Sequence, residues 1–248
     1  MTLEERGGAP LTWAANLSFK LGKMLTTPYE DAKRKEQFSN LLAFARVTDN
    51  PAVFQDIVRV IGFRVLAGKL TKRFLAGREG SSDWGTNYDQ LLGRHPPKLH
   101  YRVLDQCVDR LAGRWKVSLR DHLVIPWPWS SYRYLRALGT IGNRYGNPWA
   151  QDDNHKVRPL WPVGVVLVAS GNHSIGAGVV HGEGSIDVTT MYDISKSYEH
   201  YRTDGVSVFS MTDNNERPLW RVSSFHLAAL FELGRLRLEK GFPMSTVF

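Results

Sequence analysis

The chain has 248 residues, of which 42% are hydrophobic and 23% are charged, a composition typical of a globular protein and not of a disordered chain. No apolar run approaches the roughly 20 residues that cross a bilayer, and the early acids of residues 1–6 (MTLEER) are not typical of a secretory signal, so we expect a cytoplasmic protein with no membrane partner. The net charge of +8 favours an acidic partner, most commonly nucleic acid, or alternatively serves solubility alone.

The first long predicted element is helical. Thr27-Pro28 is a typical helix start, apolar residues follow at helical spacing to about Leu75, and Asp49-Asn50-Pro51 divides the pattern into two helices. The second helix also carries positive residues, namely Arg59, Arg64, Lys69, Lys72 and Arg73. Such a basic amphipathic helix is an ordinary solvated face or, alternatively, a surface that contacts the phosphates of DNA.

The next segment is predicted to be a loop followed by a helix. Residues 77–87 (GREGSSDWGTN) are rich in Gly and Ser, and Pro96-Pro97 then favours a helix over residues 98–115. Cys107 falls on the apolar side of that pattern, which indicates a core residue. Because it is the single cysteine, an intramolecular disulfide and a multi-cysteine zinc site are excluded. The sequence therefore predicts a mostly helical region over residues 1–120.

The pattern changes to alternating strands and helices after residue 120. Leu123-Val124-Ile125 predicts a short strand, and Ser130 or Ser131 is a candidate N-cap for the helix that follows. Hydrophobic patterning predicts further strands at residues 165–169, 186–190 and 206–211, and helices at residues 175–180 and 225–238. The sequence thus predicts an α+β fold, with a small mixed α/β domain over residues 121–248 that ends in a helix.

A polar turn joins one of these strands to its helix. It consists of Ser170, Gly171, Asn172, His173 and Ser174. The N–H groups and the dipole at the start of a helix favour an anion, and glycine permits a ligand to approach the backbone. Ser170, Gly171, Asn172 and Ser174 are therefore candidate phosphate ligands, and His173 is the candidate for proton transfer near neutral pH. The alternative is a structural turn capped by Ser or Asn.

The region over residues 123–195 resembles the ParB/sulfiredoxin-like superfamily, including the ParB-like nuclease domain. Residues 125–133 (IPWPWSSYR) are similar to the family's proline-containing box, whose arginine begins a helix, and residues 171–177 (GNHSIGA) are similar to its glycine-x-histidine-arginine turn. Ser174 stands where that family has an arginine that contacts nucleotide phosphates. Asn172 stands where sulfiredoxin has its catalytic cysteine, and an amide cannot act as a thiolate.

The resemblance implies a protein of a bacterial or mobile-element system that binds nucleotide or DNA phosphates and acts as a nuclease or a nucleoside-triphosphate hydrolase. In this interpretation Arg133 and Arg136 hold the phosphate, Mg²⁺ or Mn²⁺ neutralises it, and ATP or CTP is the nucleotide. His173, Glu183 and Asp187 are then the candidates for activating water, although both carboxylates are alternatively surface groups. The second hypothesis is a non-enzymatic regulator or inhibitor that binds DNA or a protein and carries a degenerate site.

Overall fold

The computed structural model describes residues 11–76, 91–93, 98–212 and 217–248, with side chains from Pro28 onward apart from those at positions 73, 76, 98, 99 and 101. Helices dominate the first half of the chain. The helices are Leu11–Val47 (α1), Pro51–Ala76 (α2), Lys98–Gln106 (α3), Ser131–Thr140 (α4), Asn172–His181 (α5) and Phe225–Glu239 (α6).

Two sheets complete the fold. A five-stranded mixed sheet has the order β1-β5-β3-β4-β2, and a three-stranded antiparallel sheet has the order β6-β7-β8. The strands are Asp109–Ser118 (β1), Val124–Ile125 (β2), Val157–Trp161 (β3), Val165–Val168 (β4), Ser185–Asp193 (β5), Tyr201–Thr203 (β6), Ser207–Ser210 (β7) and Trp220–Arg221 (β8). The predicted α+β class is confirmed.

Helices cover both faces of the larger sheet. Successive side chains of a strand point to opposite faces, so β4 contributes Val165 and Leu167 to the core formed with α2 and α6, and Val166 and Val168 to the core formed with Ile175 of α5. All four β4 side chains are buried. This is why the strand reads as a continuous apolar run rather than as an alternating one.

The break between the first two helices is confirmed. α1 ends at Val47 and α2 begins at Pro51, where the side chain of Asn50 accepts a hydrogen bond from the Ala52 N–H at 2.9 Å. The predicted start at Thr27-Pro28 is wrong, because α1 begins at Leu11 and continues through Pro28. The loop predicted over residues 77–87 lies outside the described residues.

The prediction of a helix over residues 98–115 is also wrong, because only residues 98–106 are helical. α3 ends at Gln106, and β1 begins at Asp109 and pairs antiparallel with β5. Pairing with a strand distant in sequence overrides the local helical spacing of apolar residues. Cys107 lies between the two elements and is buried, as predicted. Because β1 pairs with β5, the sheet extends across residue 120, where the sequence suggested a division between two regions.

Among the described residues, no helix is both long enough and apolar enough to cross a membrane.

Leu230 and Leu238 provide a matched test of the packing around α6. Leu230 is fully buried, whereas Leu238 in the last turn of the same helix is 37% exposed. We expect Leu230→Ala to lower the free energy of unfolding by about 2–5 kcal/mol, because it removes buried methyl groups and leaves a cavity. Leu238→Ala should cost less than about 1 kcal/mol. Urea denaturation measures both, and equal losses would contradict the placement of α6.

Candidate anion-binding site

Two parallel strands end at one edge of the sheet. The proline-containing box of residues 125–133 and the polar turn of residues 170–174 both lie at that edge. β2 and β4 are parallel neighbours, with Val124 opposite Val166. The segment after β2 leads into α4, and the segment after β4 leads into α5. Two parallel adjacent strands end at the same edge, and ligands of α/β sheets bind beyond such an edge. The polar turn and the proline box therefore face each other, although 45 residues separate Trp127 from Asn172.

The two helices that begin at this edge run parallel and side by side. Ser130, the N-cap of α4, contacts His173 in the first turn of α5. Farther along, Tyr134 packs on Gly176, where an added Cβ would lie 3.1 Å from the ring. Beyond both helices, the Asn143 N–H donates to the Glu183 carboxylate at 3.0 Å. Since these contacts follow the same order in both helices, the two N-termini lie together at one end.

Side-chain to main-chain hydrogen bonds fix that common end. The Trp127 N–H donates to Asn172 Oδ1 at 2.8 Å, and the Ser130 N–H donates to His173 Nε2 at 3.1 Å. The Ser130 hydroxyl accepts from the Arg133 N–H at 3.3 Å, which confirms Ser130 as the cap. Gly171 has φ of 78°, and a Cβ there would lie 2.5 Å from the His155 ring. A side chain at position 171 would therefore be both strained and obstructed.

The charges at the two ends of the helix pair differ. At the carboxyl end, Arg144 donates to the Leu138 carbonyl at 3.3 Å, which stabilises the negative end of the α4 dipole, and lies 2.7 Å from His181 Nε2 of α5. The Glu183 carboxylate lies at the same end. At the amino end, the first turns of these two described helices contain no acid. The first turn of α4 instead contains Arg133, a cation at the positive end of a dipole. An anion from outside the chain would offset this charge.

An aromatic side chain borders the same end. Trp129 is 42% exposed, and the Arg133 guanidinium lies 4.8 Å from the centre of its ring. The His173 ring meets Trp129 edge-on at 5.0 Å. Arg136 is exposed one turn farther along α4, and the Ser170 hydroxyl donates to Asn154 Oδ1 at 2.6 Å. The structure thus brings the predicted phosphate ligands to one end of the helix pair, with Arg136 at its margin.

His173 has a positioning role in this arrangement. Its Nε2 accepts a main-chain hydrogen bond from Ser130, so the neutral ring carries its proton on Nδ1. Using Nε2 to remove a proton from water would break the contact that joins the two helix N-termini. The geometry therefore favours a histidine that holds the site together.

Ser174, His155 and Asp152 have the spacing of a nucleophile, a base and an orienting acid. Ser174 Oγ lies 2.5 Å from His155 Nε2, and His155 Nδ1 lies 3.3 Å from Asp152 Oδ1. However, His155 Nδ1 accepts the Asp152 N–H at 2.8 Å, so the ring proton is on Nε2 and is donated to Ser174. The Ser174 hydroxyl in turn donates to the Gly171 carbonyl at 3.1 Å. The three residues fasten a loop to α5 and do not form an activated nucleophile.

The predicted catalytic carboxylates lie away from His173. Glu183 is just beyond the far end of α5, a ten-residue helix about 15 Å long, where it accepts hydrogen bonds from Asn143. Asp187 is exposed on β5 and lines an open cleft of about 570 Å³ together with Arg114 and Lys116. In the part of the chain that the structure describes, no three His, Cys, Asp or Glu side chains are grouped to hold a metal. Glu183, Asp187 and His173 are therefore not grouped into one cluster in this part of the chain.

The basic residues of α2 do not form a single stripe. At 100° per residue, Arg59 and Arg64 project about 140° apart around the helix. Arg59 is partly buried, 3.8 Å from Asp56, and Arg64 is exposed. Lys69 is partly buried and Lys72 is exposed, while the side chain of Arg73 lies outside the described residues. The predicted DNA-contacting set is thus divided over different sides of the helix.

Two residues of the site, Trp129 and His155, are not among the phosphate ligands and proton-transfer groups that the sequence predicts. Trp129 stands in the proline box, so an aromatic beside the box arginine was a signal that could have indicated it. His155 gave no local signal, because it reaches Ser174 across 19 residues.

The fold and the site define a mixed α+β protein with a pair of parallel helices, one carrying Arg133 in its first turn, at the carboxyl edge of its sheet. The chain belongs to DUF6710, a family of unknown function, which it matches over residues 24–244. No curated protein and no solved structure matches it.

Ser174→Ala tests the role of the serine. The His155 Nε2–H would lose its acceptor inside the protein, so we expect the free energy of unfolding to fall by about 1–3 kcal/mol. Ser170→Ala removes a hydroxyl whose hydrogen bond is exposed and should cost less than about 1 kcal/mol. Urea denaturation compares the two. Labelling of Ser174 by a fluorophosphonate would contradict the structural role.

One buried histidine and three partly buried ones predict a loss of stability in mild acid. Burial lowers the pKa of His155, and burial has the same effect on His100, His122 and His226. Below the ordinary value of about 6.5 the unfolded chain binds protons that the folded chain does not, so stability decreases as pH falls from that value toward the lower folded pKa values. Each such histidine contributes up to about 1.4 kcal/mol per pH unit.

Urea titrations at pH 7.5, 6.0 and 5.0 measure this slope. His155→Gln should reduce the slope of the free energy of unfolding against pH by the contribution of one titrating histidine. A slope between pH 7.5 and 5.0 that is unchanged by His155→Gln would show that the ring is accessible to protons in the folded protein.

Proposed function

We propose that this protein binds the phosphate groups of a nucleic acid at the common N-terminal end of α4 and α5, as a binding protein and not through phosphate-ester hydrolysis. The observation that carries the proposal is the 3.1 Å hydrogen bond from the Ser130 N–H to His173 Nε2. It joins two positive helix ends beside Arg133. The net charge of +8 supports an extended polyanion as the ligand.

The resemblance to ParB-like domains agrees with a phosphate ligand, while the contacts of individual residues favour binding over catalysis. His173 Nε2 already has a donor, and Glu183 and Asp187 lie elsewhere. Ser174, which replaces the family arginine, is engaged with His155. Arg133 remains as the guanidinium at the site, and its position over Trp129 suits contact with a phosphate and an adjacent base. The hydrolase hypothesis stays a prediction, and the non-enzymatic regulator is the interpretation that the geometry favours.

Arg133→Ala is the direct test. The side chain is exposed, so its removal should leave folding intact and weaken binding of a fluorescein-labelled single-stranded 20-nucleotide DNA about 10-fold, since hydrogen bonds to charged groups contribute about 1.5–3 kcal/mol. Arg120→Ala is the matched control, because Arg120 contacts the turn at the opposite end of α5 and carries the same charge. We expect a change within about twofold for that variant. Fluorescence anisotropy at several salt concentrations gives both affinities.

Three results would change the proposal. Equal weakening by Arg133→Ala and Arg120→Ala would indicate a general charge effect without a site. Weakening by Arg64→Ala but not by Arg133→Ala would place the interface on α2. Release of phosphate or cleavage of the oligonucleotide with magnesium, lost in His173→Ala, would favour the hydrolase hypothesis instead.

A further inference from the structure

The core contains hydrogen-bond donors that have no acceptor. Arg237 on α6 is fully buried, and neither its Nε nor its Nη1 has a hydrogen-bond partner among the described residues. The Tyr198 hydroxyl is likewise buried without a partner in the described part of the chain. A buried donor that lacks an acceptor loses its hydration and gains nothing in return, which destabilises the folded state.

Both side chains border the turn between β3 and β4. The Tyr198 hydroxyl lies over Gly234, 2.2 Å from where a Cβ would stand, and Val163 approaches the same point at 3.2 Å. Arg237 is one helical turn beyond Gly234, and its Nη2 lies 3.1 Å from the position of a Cβ on Gly164. Val163 and Gly164, consecutive residues of this turn, therefore lie beside the Tyr198 hydroxyl and the Nη2 of Arg237 respectively.

The charge of Arg237 is not balanced by a carboxylate. Within the described residues no ion pair includes Arg237, whereas its neighbour Arg235 is paired with Glu232 at 2.7 Å. Burial lowers the pKa of Arg237 to about 10, so the guanidinium stays protonated at pH 7. The rings of Phe54 and Trp161, 5.3 Å and 5.9 Å from its central carbon, provide partial compensation. A full positive charge nevertheless remains in the core.

Two acceptors next to this cation already accept one hydrogen bond each, and neither accepts from Nε or Nη1. Arg237 Nη2 donates to Gln55 Oε1, and Gln55 Nε2 donates to the Gly164 carbonyl at 3.2 Å. A water molecule would accept from the orphaned donors but would bring two donors of its own, and it carries no charge. A monovalent anion accepts only, and it also neutralises the guanidinium.

We propose that a chloride-sized monovalent anion binds in the core between Arg237 and Tyr198. The site is independent of the α4–α5 helix pair. It stabilises the fold by giving acceptors to the guanidinium and the phenol, and its occupancy follows the halide concentration because the ion binds the folded chain and not the unfolded one.

Sodium bromide is the probe, compared with sodium gluconate at equal ionic strength. The melting temperature of the wild-type protein should rise with bromide and reach a plateau. Tyr198→Phe removes one donor and relieves an unpaired hydroxyl, so in gluconate it should be at least as stable as wild type. Its apparent bromide affinity should be about fivefold weaker, as expected for the loss of one hydrogen bond. Tyr132→Phe, an exposed tyrosine to phenylalanine change, should match wild type.

Two results would overturn the proposal. One is an equal melting temperature in bromide and gluconate. The other is an identical bromide dependence in wild type and Tyr198→Phe, which would mean that bromide acts elsewhere and that water satisfies the orphaned donors. Anomalous diffraction from crystals grown in bromide provides a second readout. A peak beside Arg237 supports the proposal, and its absence contradicts it.

Discussion

The parallel packing of α4 and α5 on the parallel strands β2 and β4 is the constraint from which the site follows. Parallel helices side by side place like ends of their dipoles together, an arrangement that is unfavourable unless each end is compensated. At the carboxyl end Arg144 donates to the last turn of α4, and the Glu183 carboxylate accepts from Asn143 just beyond that helix. At the amino end the chain provides the main-chain bonds from Trp127 and Ser130 to Asn172 and His173, and the first turns of these two described helices contain no acid. The same packing that builds the edge therefore brings two positive helix ends together beside Arg133.

Elements with strong local signals were predictable from the sequence. The apolar run of β4, the alternation in β5 and the serine cap of α4 each depend on residues adjacent in the chain. The fold class follows from the same patterns. What local patterns could not give is β1, because its pairing with β5 joins Val117 to Ile186 and only that long-range partner makes the segment a strand. The sequence also did not predict β3. This strand lies between β5 and β4 and contains Pro159, whereas a proline is typical of a break and not of a central strand.

The sequence was sufficient to name most residues of the candidate site, but it was not sufficient to assign a chemical role to each of them. The polar turn and the box arginine carried recognisable types of side chain at a strand-to-helix junction. Whether His173 acts as a base depends on what its Nε2 contacts, and that partner is 43 residues away. The tautomer of His155 likewise depends on one main-chain N–H in its own loop. Hydrogen-bond direction, which a sequence does not contain, decides between a reactive group and a structural one.

Two arginines of α6 differ in how their surroundings compensate the charge and satisfy the hydrogen-bond donors of the guanidinium. Arg235 is partly buried, pairs with Glu232 and donates to the carbonyls of Tyr198 and Tyr201, so its charge and its donors are both satisfied within the chain. Arg237, two residues on, faces aromatic rings and a glutamine. An internal carboxylate stabilises one cation, whereas no ion pair among the described residues includes the other. Among the described residues, neither the buried Arg237 nor the exposed Arg133 at the end of the α4–α5 pair forms an ion pair. The first is enclosed in the core and the second faces solvent, which is why the anion that we propose for each is different.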